Sequence, residues 1–100
     1  MKYFILFYEV VEDYLERRAE FRTDHLALAR AATDSGELLF AGAYADPADG
    51  AALVFRGPDG IARAFAEADP YVLNGLVKSW HIREWSVVIE ADYEGPVPTG

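Results

Sequence analysis

Lys2-Tyr3-Phe4-Ile5-Leu6-Phe7-Tyr8-Glu9 decides the architecture of this chain. Its aromatic and aliphatic residues favour a strand, and alternation sorts them into two faces, Tyr3/Ile5/Phe7 and Phe4/Leu6/Tyr8. Both faces are apolar, so both must be covered. Helices can take one of them. A second sheet, most simply that of a partner subunit, can take the other.

Outward from that strand, Val11 to Ser35 is rich in Glu, Arg, Leu and Ala and reads as helix. A single rod of that length would run to about 35 Å, against about 26 Å for an eight-residue strand. The mismatch predicts a short first turn near Glu12 to Arg17, a bend, and a main helix from Glu20, ended by Gly36 in the left-handed position. Glu37 to Ala45 and Ala51 to Arg56 are expected to form a hairpin around Asp46-Pro47-Ala48-Asp49-Gly50. Gly42, inside the first of these strands, admits a close neighbour, marks a bulge, or adjusts the twist. Gly57-Pro58-Asp59-Gly60 makes the next turn, with Asp59 capping a helix whose apolar stripe is Ile61, Phe65 and Ala68.

Pro70 should stop that helix, and Asp69 can cap a new helical turn that has Pro70 at its first position. Leu76 to Glu90 reads as a long last strand carrying Trp80, Ile82, Trp85, Val87, Val88 and Ile89. The order β-α-β-β-α-β is the α+β, ferredoxin-like arrangement, a four-stranded antiparallel sheet with two helices on one face. Residues 1–91 are expected to form a single domain, and 92–100, with Gly95, Pro96 and Pro98, an extended arm or frayed tail. The helix-free face would be an exposed apolar patch in a monomer, so sheet-to-sheet dimerisation into a closed or half-closed barrel is expected.

Composition agrees with a second buried surface. In 100 residues, 52% are hydrophobic and 14% aromatic, more than one sheet face needs, and aromatic residues are enriched at subunit interfaces. There is no cysteine, which excludes disulfides and thiol chemistry. No apolar run is long enough to span a bilayer, and the first residues lack the basic start and cleavage pattern of a signal peptide, so a cytoplasmic protein is expected. The net charge of −8 argues against nucleic acid and against anionic membranes. Arg17, Arg18 and Arg22 form a local basic cluster that could meet an anionic ligand, or could pair at i,i+4 spacing with Glu12 and Asp13 as a solvated face.

His25 is the candidate for chemistry. Phe21, His25, Leu28 and Ala32 share one helical stripe, with Leu26 and Ala29 beside it, so the imidazole faces inward. An unpaired polar group in a dry place costs about 1–3 kcal/mol. The partner is a backbone carbonyl in a structural role, or a carboxylate that would tune the ring for proton transfer. Asp69, at the turn after the second helix, could cap that turn, aim at His25, or do both with its two oxygens. Tyr3, Phe7, Phe40, Tyr44 and Tyr71 are candidates to line a pocket or to be core. His81 belongs on a more polar face beside Lys78 and Arg83. Two histidines on separate elements specify no metal site, no glycine-rich phosphate loop is present, and neither a serine nor a cysteine nucleophile has a place near His25.

The chain resembles the YciI-like (YCII-related) family of the dimeric α+β barrel superfamily, over Met1 to about Ala91. The likeness rests on Arg22 followed by His25-Leu26, on Gly36-Glu37-Leu38-Leu39 with Ala41-Gly42 downstream, on Asp69-Pro70 with Gly75, and on the aromatic last strand around Trp85. Many relatives carry a proline after the Ala41-Gly42 pair, where this chain has Ala43. The resemblance implies a His-Asp dyad, His25 with Asp69, in a pocket between helices and sheet, with Arg22 and Tyr71 contacting the ligand. It further implies a homodimer that needs no cofactor and acts as a lyase or isomerase on a small aromatic or lactone-like molecule. A non-catalytic dimeric module that binds a small molecule or another protein is the alternative.

Overall fold

Strand β1 (Lys2–Val10) lies inside the sheet and organises everything else. In the computed structural model, which describes residues 2–91, it is followed by α1 (Tyr14–Asp34), β2 (Leu38–Ala43), β3 (Gly50–Gly57), α2 (Ile61–Ala68), α3 (Pro70–Leu73) and β4 (Val77–Trp85). The strand order is β2-β3-β1-β4 with every pair antiparallel, the ferredoxin-like topology expected from the sequence. The residues beyond Ala91, where a tail is expected, lie outside the described residues.

The two faces of β1 have separate fates. Phe4, Leu6, Tyr8 and Val10 are buried and pack with Tyr14 of α1 and Ala62, Phe65 and Ala66 of α2. Register brings Phe55, Leu53 and Ala51 of β3 onto the same side, opposite Phe4, Leu6 and Tyr8. Burying a side chain such as Leu6 or Phe55 contributes about 1.5–3 kcal/mol, and both are essentially inaccessible. On the other side Tyr3, Ile5 and Phe7 are only half-buried, and their β4 partners Trp85, Arg83 and His81 leave that face open.

Several local expectations are corrected. α1 is one continuous helix of 21 residues, without the bend near Glu20. Helix-forming residues without Gly or Pro fill the segment, so propensity holds the rod straight, and its excess length reaches out over β2. Gly36 does end it, with φ +83°. Gly42 meets nothing within 4 Å where a Cβ would stand, and the irregularity in this hairpin falls between Leu38 and Phe40 instead. Gly50 is the crowded glycine, since a Cβ there would lie 2.6 Å from the Tyr8 carbonyl and 2.7 Å from the Tyr44 ring.

Asp59 does not cap α2. Gly60 takes the N-cap position with φ +89°, and Asp59 instead pairs with Lys2 at 3.1 Å. Ala68, expected on the buried stripe of α2, is exposed, because the buried set is Ala62, Phe65 and Ala66. The last strand ends at Trp85 rather than Glu90, because Trp85 already pairs with Tyr3 near the end of β1. Residues 86–90 leave the ladder there and bring the Glu90 carboxylate to the Tyr3 hydroxyl, which donates to it at 2.8 Å.

Candidate functional site

Small residues at facing positions open a space between α1 and the sheet. Ala29 of α1 looks across at Ala41, Gly42 and Ala43 of β2 and Ala51 of β3, and these residues line a cleft of about 350 Å³. That is the lower end of small-ligand sites, suited to a single ring. Toward the other end of the helix layer the residues are larger, and Phe55 and Phe65 pack with ring centroids 5.3 Å apart.

The helical wall is a row at four-residue steps. Tyr14, Arg18, Arg22, Leu26 and Arg30 all line the cleft, with His25, Ala29 and Thr33 in the neighbouring row, as the 3.6-residue period requires. The expected i,i+4 pairs with Glu12 and Asp13 do not form: among the described residues no carboxylate lies within 4.0 Å of Arg17, Arg18 or Arg22. Arg17 donates to the Asn74 carbonyl at 2.9 Å, and the Arg18 guanidinium sits over the Tyr14 ring at 5.6 Å.

At the inner end lies Asp69, with none of its surface exposed. The chain is extended there, at φ −71° and ψ 121°, between α2 and α3, because a residue before proline avoids the helical region. Pro70 then starts α3, and the Tyr71 amide donates to Asp69 Oδ1 at 3.0 Å, the capping bond expected from the sequence. A buried carboxylate needs further donors. Tyr8 donates its hydroxyl to Oδ2 at 2.7 Å, and His25 Nδ1 lies 2.8 Å from Oδ1. Burial first, and then the Asp69 charge and the hydrogen bond to it, push the Tyr8 hydroxyl far above the ordinary tyrosine range, so it stays a neutral donor.

The imidazole is also clamped from its face. The rings of His25 and Tyr71 stack at 3.8 Å and 6°, and Tyr71 meets Tyr14 edge-on at 5.7 Å. With donors on every side, Asp69 acts as acceptor, so His25 donates Nδ1–H and keeps Nε2 as its available lone pair. The His25 side chain is 17% exposed and lines the cleft. A ring with one fixed tautomer and one free nitrogen can take up or deliver a proton. The Tyr71 hydroxyl is buried and has no hydrogen-bond partner among the described residues. Burial and nearby Tyr14 raise its pKa, while the Arg22 and Arg18 charges pull the other way.

Of the residues singled out in the sequence, His25, Asp69 and Tyr71 come into contact, and Arg22 stands on the cleft wall. Tyr3, Phe7 and Phe40 do not reach it; β1 and β2 direct them to the helix-free face, and Tyr44 packs at Gly50. His81 is exposed on that face, stacked on Phe7 at 4.9 Å. Tyr8, Tyr14 and Arg30 were not singled out as site residues. Tyr8 had a signal, as the one hydroxyl on the helix-facing side of β1, and Tyr14 and Arg30 had theirs in the four-residue steps through Arg18 and Arg22. Among the described residues no group of three or more His, Cys, Asp or Glu side chains could hold a metal ion, and no helix is long and apolar enough to cross a membrane.

Residues 1–86 match the family of the YCII-related domain. No curated protein matches the chain in sequence. Among solved structures it is similar to a 5-chloro-2-hydroxyhydroquinone dehydrochlorinase (TftG) of Burkholderia phenoliruptrix AC1100, determined in complex with 2,5-dihydroxybenzoquinone. That match has a TM-score of 0.72 at 17% identity and covers 84% of this chain and 93% of that one. It is also similar to protein Atu4242 of Agrobacterium tumefaciens, with a TM-score of 0.57 at 16% identity over 86% of this chain and 92% of that one.

Proposed function

The chain belongs to the YCII-related domain family, and from that premise we propose that it is a cofactor-independent enzyme of lyase or isomerase type. One observation carries the reading: His25 lines an open cleft while its Nδ1 lies 2.8 Å from the wholly buried Asp69. His25 Nε2 takes a proton from a small cyclic substrate, and Asp69 stabilises the imidazolium that results. The electron pair released on the substrate then expels a leaving anion, in a lyase, or the proton returns at another atom, in an isomerase. Arg22 and Tyr71 hold the ring in place. The name of the structurally similar dehydrochlorinase, an enzyme of a chlorinated hydroxyhydroquinone, supports the elimination branch and an aromatic or quinonoid substrate, with a lactone-like ring for the isomerase branch.

The test is chloride release from a panel of chlorinated hydroquinones, with wild type and His25→Gln compared. General acid–base catalysis contributes about 10²- to 10⁴-fold, and a loss of that size in kcat with the fold intact is the expected result. Unchanged turnover in the variant would remove His25 from the chemistry.

A second reading has its own observation. Asp69 also caps α3 and receives Tyr8, so the same contacts could serve only to join β1, α1 and α3 in a non-catalytic binding module. That reading expects His25→Gln to lower stability while no member of the panel is turned over by either protein. Under both readings the protein works in the cytoplasm as a homodimer, pairing the open sheet face through residues such as Phe40 and Trp85, 65% and 46% exposed, which soluble monomers seldom leave bare.

A further inference from the structure

The charge of the cleft is opposite to that of the protein. The chain as a whole carries −8, yet Arg18, Arg22 and Arg30 stand along one wall of the cleft with His25, and no Asp or Glu side chain is among the lining residues. Among the described residues these three arginines have no carboxylate within 4.0 Å. A positive pocket in a negative surface focuses field lines and selects anions. A separate observation points the same way: Tyr71 lines the cleft, and its hydroxyl is buried, the residue being 2% exposed, with no hydrogen-bond partner among the described residues. A buried donor without an acceptor is costly, and a ligand oxygen in the cleft would relieve it.

We propose that the cleft selects a monocyclic organic anion, whose negatively charged oxygen is held by the Arg22 guanidinium and the Tyr71 hydroxyl while its ring lies against Leu26, Leu38 and Leu53. Arginine matches the geometry of a carboxylate with two parallel N–H donors. Burial and Tyr14, which raise the Tyr71 pKa, keep its hydroxyl protonated and able to donate. The three leucines belong to the apolar part of the wall, with Ala29, Ala41, Ala43 and Ala51, so the site discriminates against fully hydrated inorganic anions. The inference deepens the proposed function by naming what that site takes, and rests on the cleft being the substrate site.

Isothermal titration calorimetry of the full chain with 2,5-dihydroxybenzoate and with hydroquinone, rings that differ by the carboxylate, reads the preference directly. The anionic ring is expected to bind about 10- to 100-fold more tightly, the range that hydrogen bonds to a charged group span, and to lose most of that advantage as salt is raised. Arg22→Gln, a change at an exposed residue that leaves folding intact, should erase the preference, and Tyr71→Phe should reduce it. Arg63→Gln, on α2 with its guanidinium over Trp80, should preserve it. Equal affinity for the two rings, no binding of either at millimolar concentration, or a preference that survives Arg22→Gln would overturn the inference. Its failure is distinct from failure of the proton-transfer reading. In the latter case anion preference persists in wild type and in His25→Gln while the two proteins turn over chlorinated rings equally or not at all.

Discussion

The two histidines occupy opposite faces of one sheet and make nearly the same aromatic contact. His25 stacks on Tyr71 at 3.8 Å and His81 on Phe7 at 4.9 Å. What separates them lies behind the ring. His25 has a buried carboxylate at 2.8 Å, whereas His81 is exposed and has no carboxylate within 4.0 Å among the described residues. A stacked imidazole is therefore only packing until a second group fixes its proton, and the cost of building that group is paid in the core, at Asp69.

Removing the carboxylate gives the largest expected effect. Asp69→Ala leaves the Tyr8 hydroxyl and the Tyr71 amide buried without acceptors, and should lower stability by about 3–5 kcal/mol, read from urea denaturation. A loss below about 1 kcal/mol would mean that Asp69 is not integral to the helix-facing side, and the contrast with His81 would collapse.

Tyr8→Phe tests the same cluster from the sheet. Losing a hydrogen bond to a charged group costs about 1.5–3 kcal/mol at neutral pH. The pH dependence carries a further sign. The folded-state pKa of Tyr8 is raised above an unfolded value near 10, so at alkaline pH the folded state holds a proton that the unfolded chain has released. Its contribution is complete below about pH 10 and declines as pH rises above it, by about 1.4 kcal/mol per pH unit. Denaturation curves between about pH 9 and 11 should fall more steeply for wild type than for Tyr8→Phe, and parallel curves would contradict the buried, neutral phenol.

The open face should respond to concentration rather than to chemistry. Trp85→Lys adds a charge where Trp85 lies beside Tyr3, at a position 46% exposed. For the isolated chain such a surface change stays within about 0.5 kcal/mol. In a homodimer joined through this face it should lower the dissociation-linked Tm and shift sedimentation toward the monomer. A wild-type sedimentation coefficient already that of a monomer would remove the dimer from the proposed function.

The topology was legible because β1 is apolar on both faces and the turns are marked by Gly36, Gly57-Pro58 and Asp69-Pro70. The contact between His25 and Asp69 was one of the open alternatives for Asp69, and only the family resemblance selected it, since two residues 44 positions apart have no local signal that joins them. Tyr8 was grouped with Phe4 and Leu6 but assigned neither to the helix side nor to the site, because alternation sorts side chains into two faces and says nothing of which donor a carboxylate across the core will need. The pocket aromatics Tyr3, Phe7 and Phe40 went astray for the complementary reason: strand alternation offered two apolar faces, and only the helices choose which one holds the cleft. The straight α1 was missed by setting helix length against strand length, a constraint that vanishes when a helix can overhang an edge strand.

The smallest effect is the one that isolates the role of the carboxylate. His81→Gln removes a ring stacked on Phe7 at an exposed position, and should change stability by no more than about 0.5 kcal/mol. It also leaves a single histidine, so that ring ¹⁵N shifts report His25 alone. The expected spectrum is that of one tautomer, protonated at Nδ1, because Asp69 Oδ1 accepts there. The His81 signals, present only in wild type, should show a tautomer mixture set by water. Should His81→Gln cost as much as a change at His25, or should both rings share one tautomer, then stacking rather than the buried carboxylate governs the two imidazoles. The Asp69 cluster would then be a brace between α1, α3 and β1, with no bearing on proton transfer.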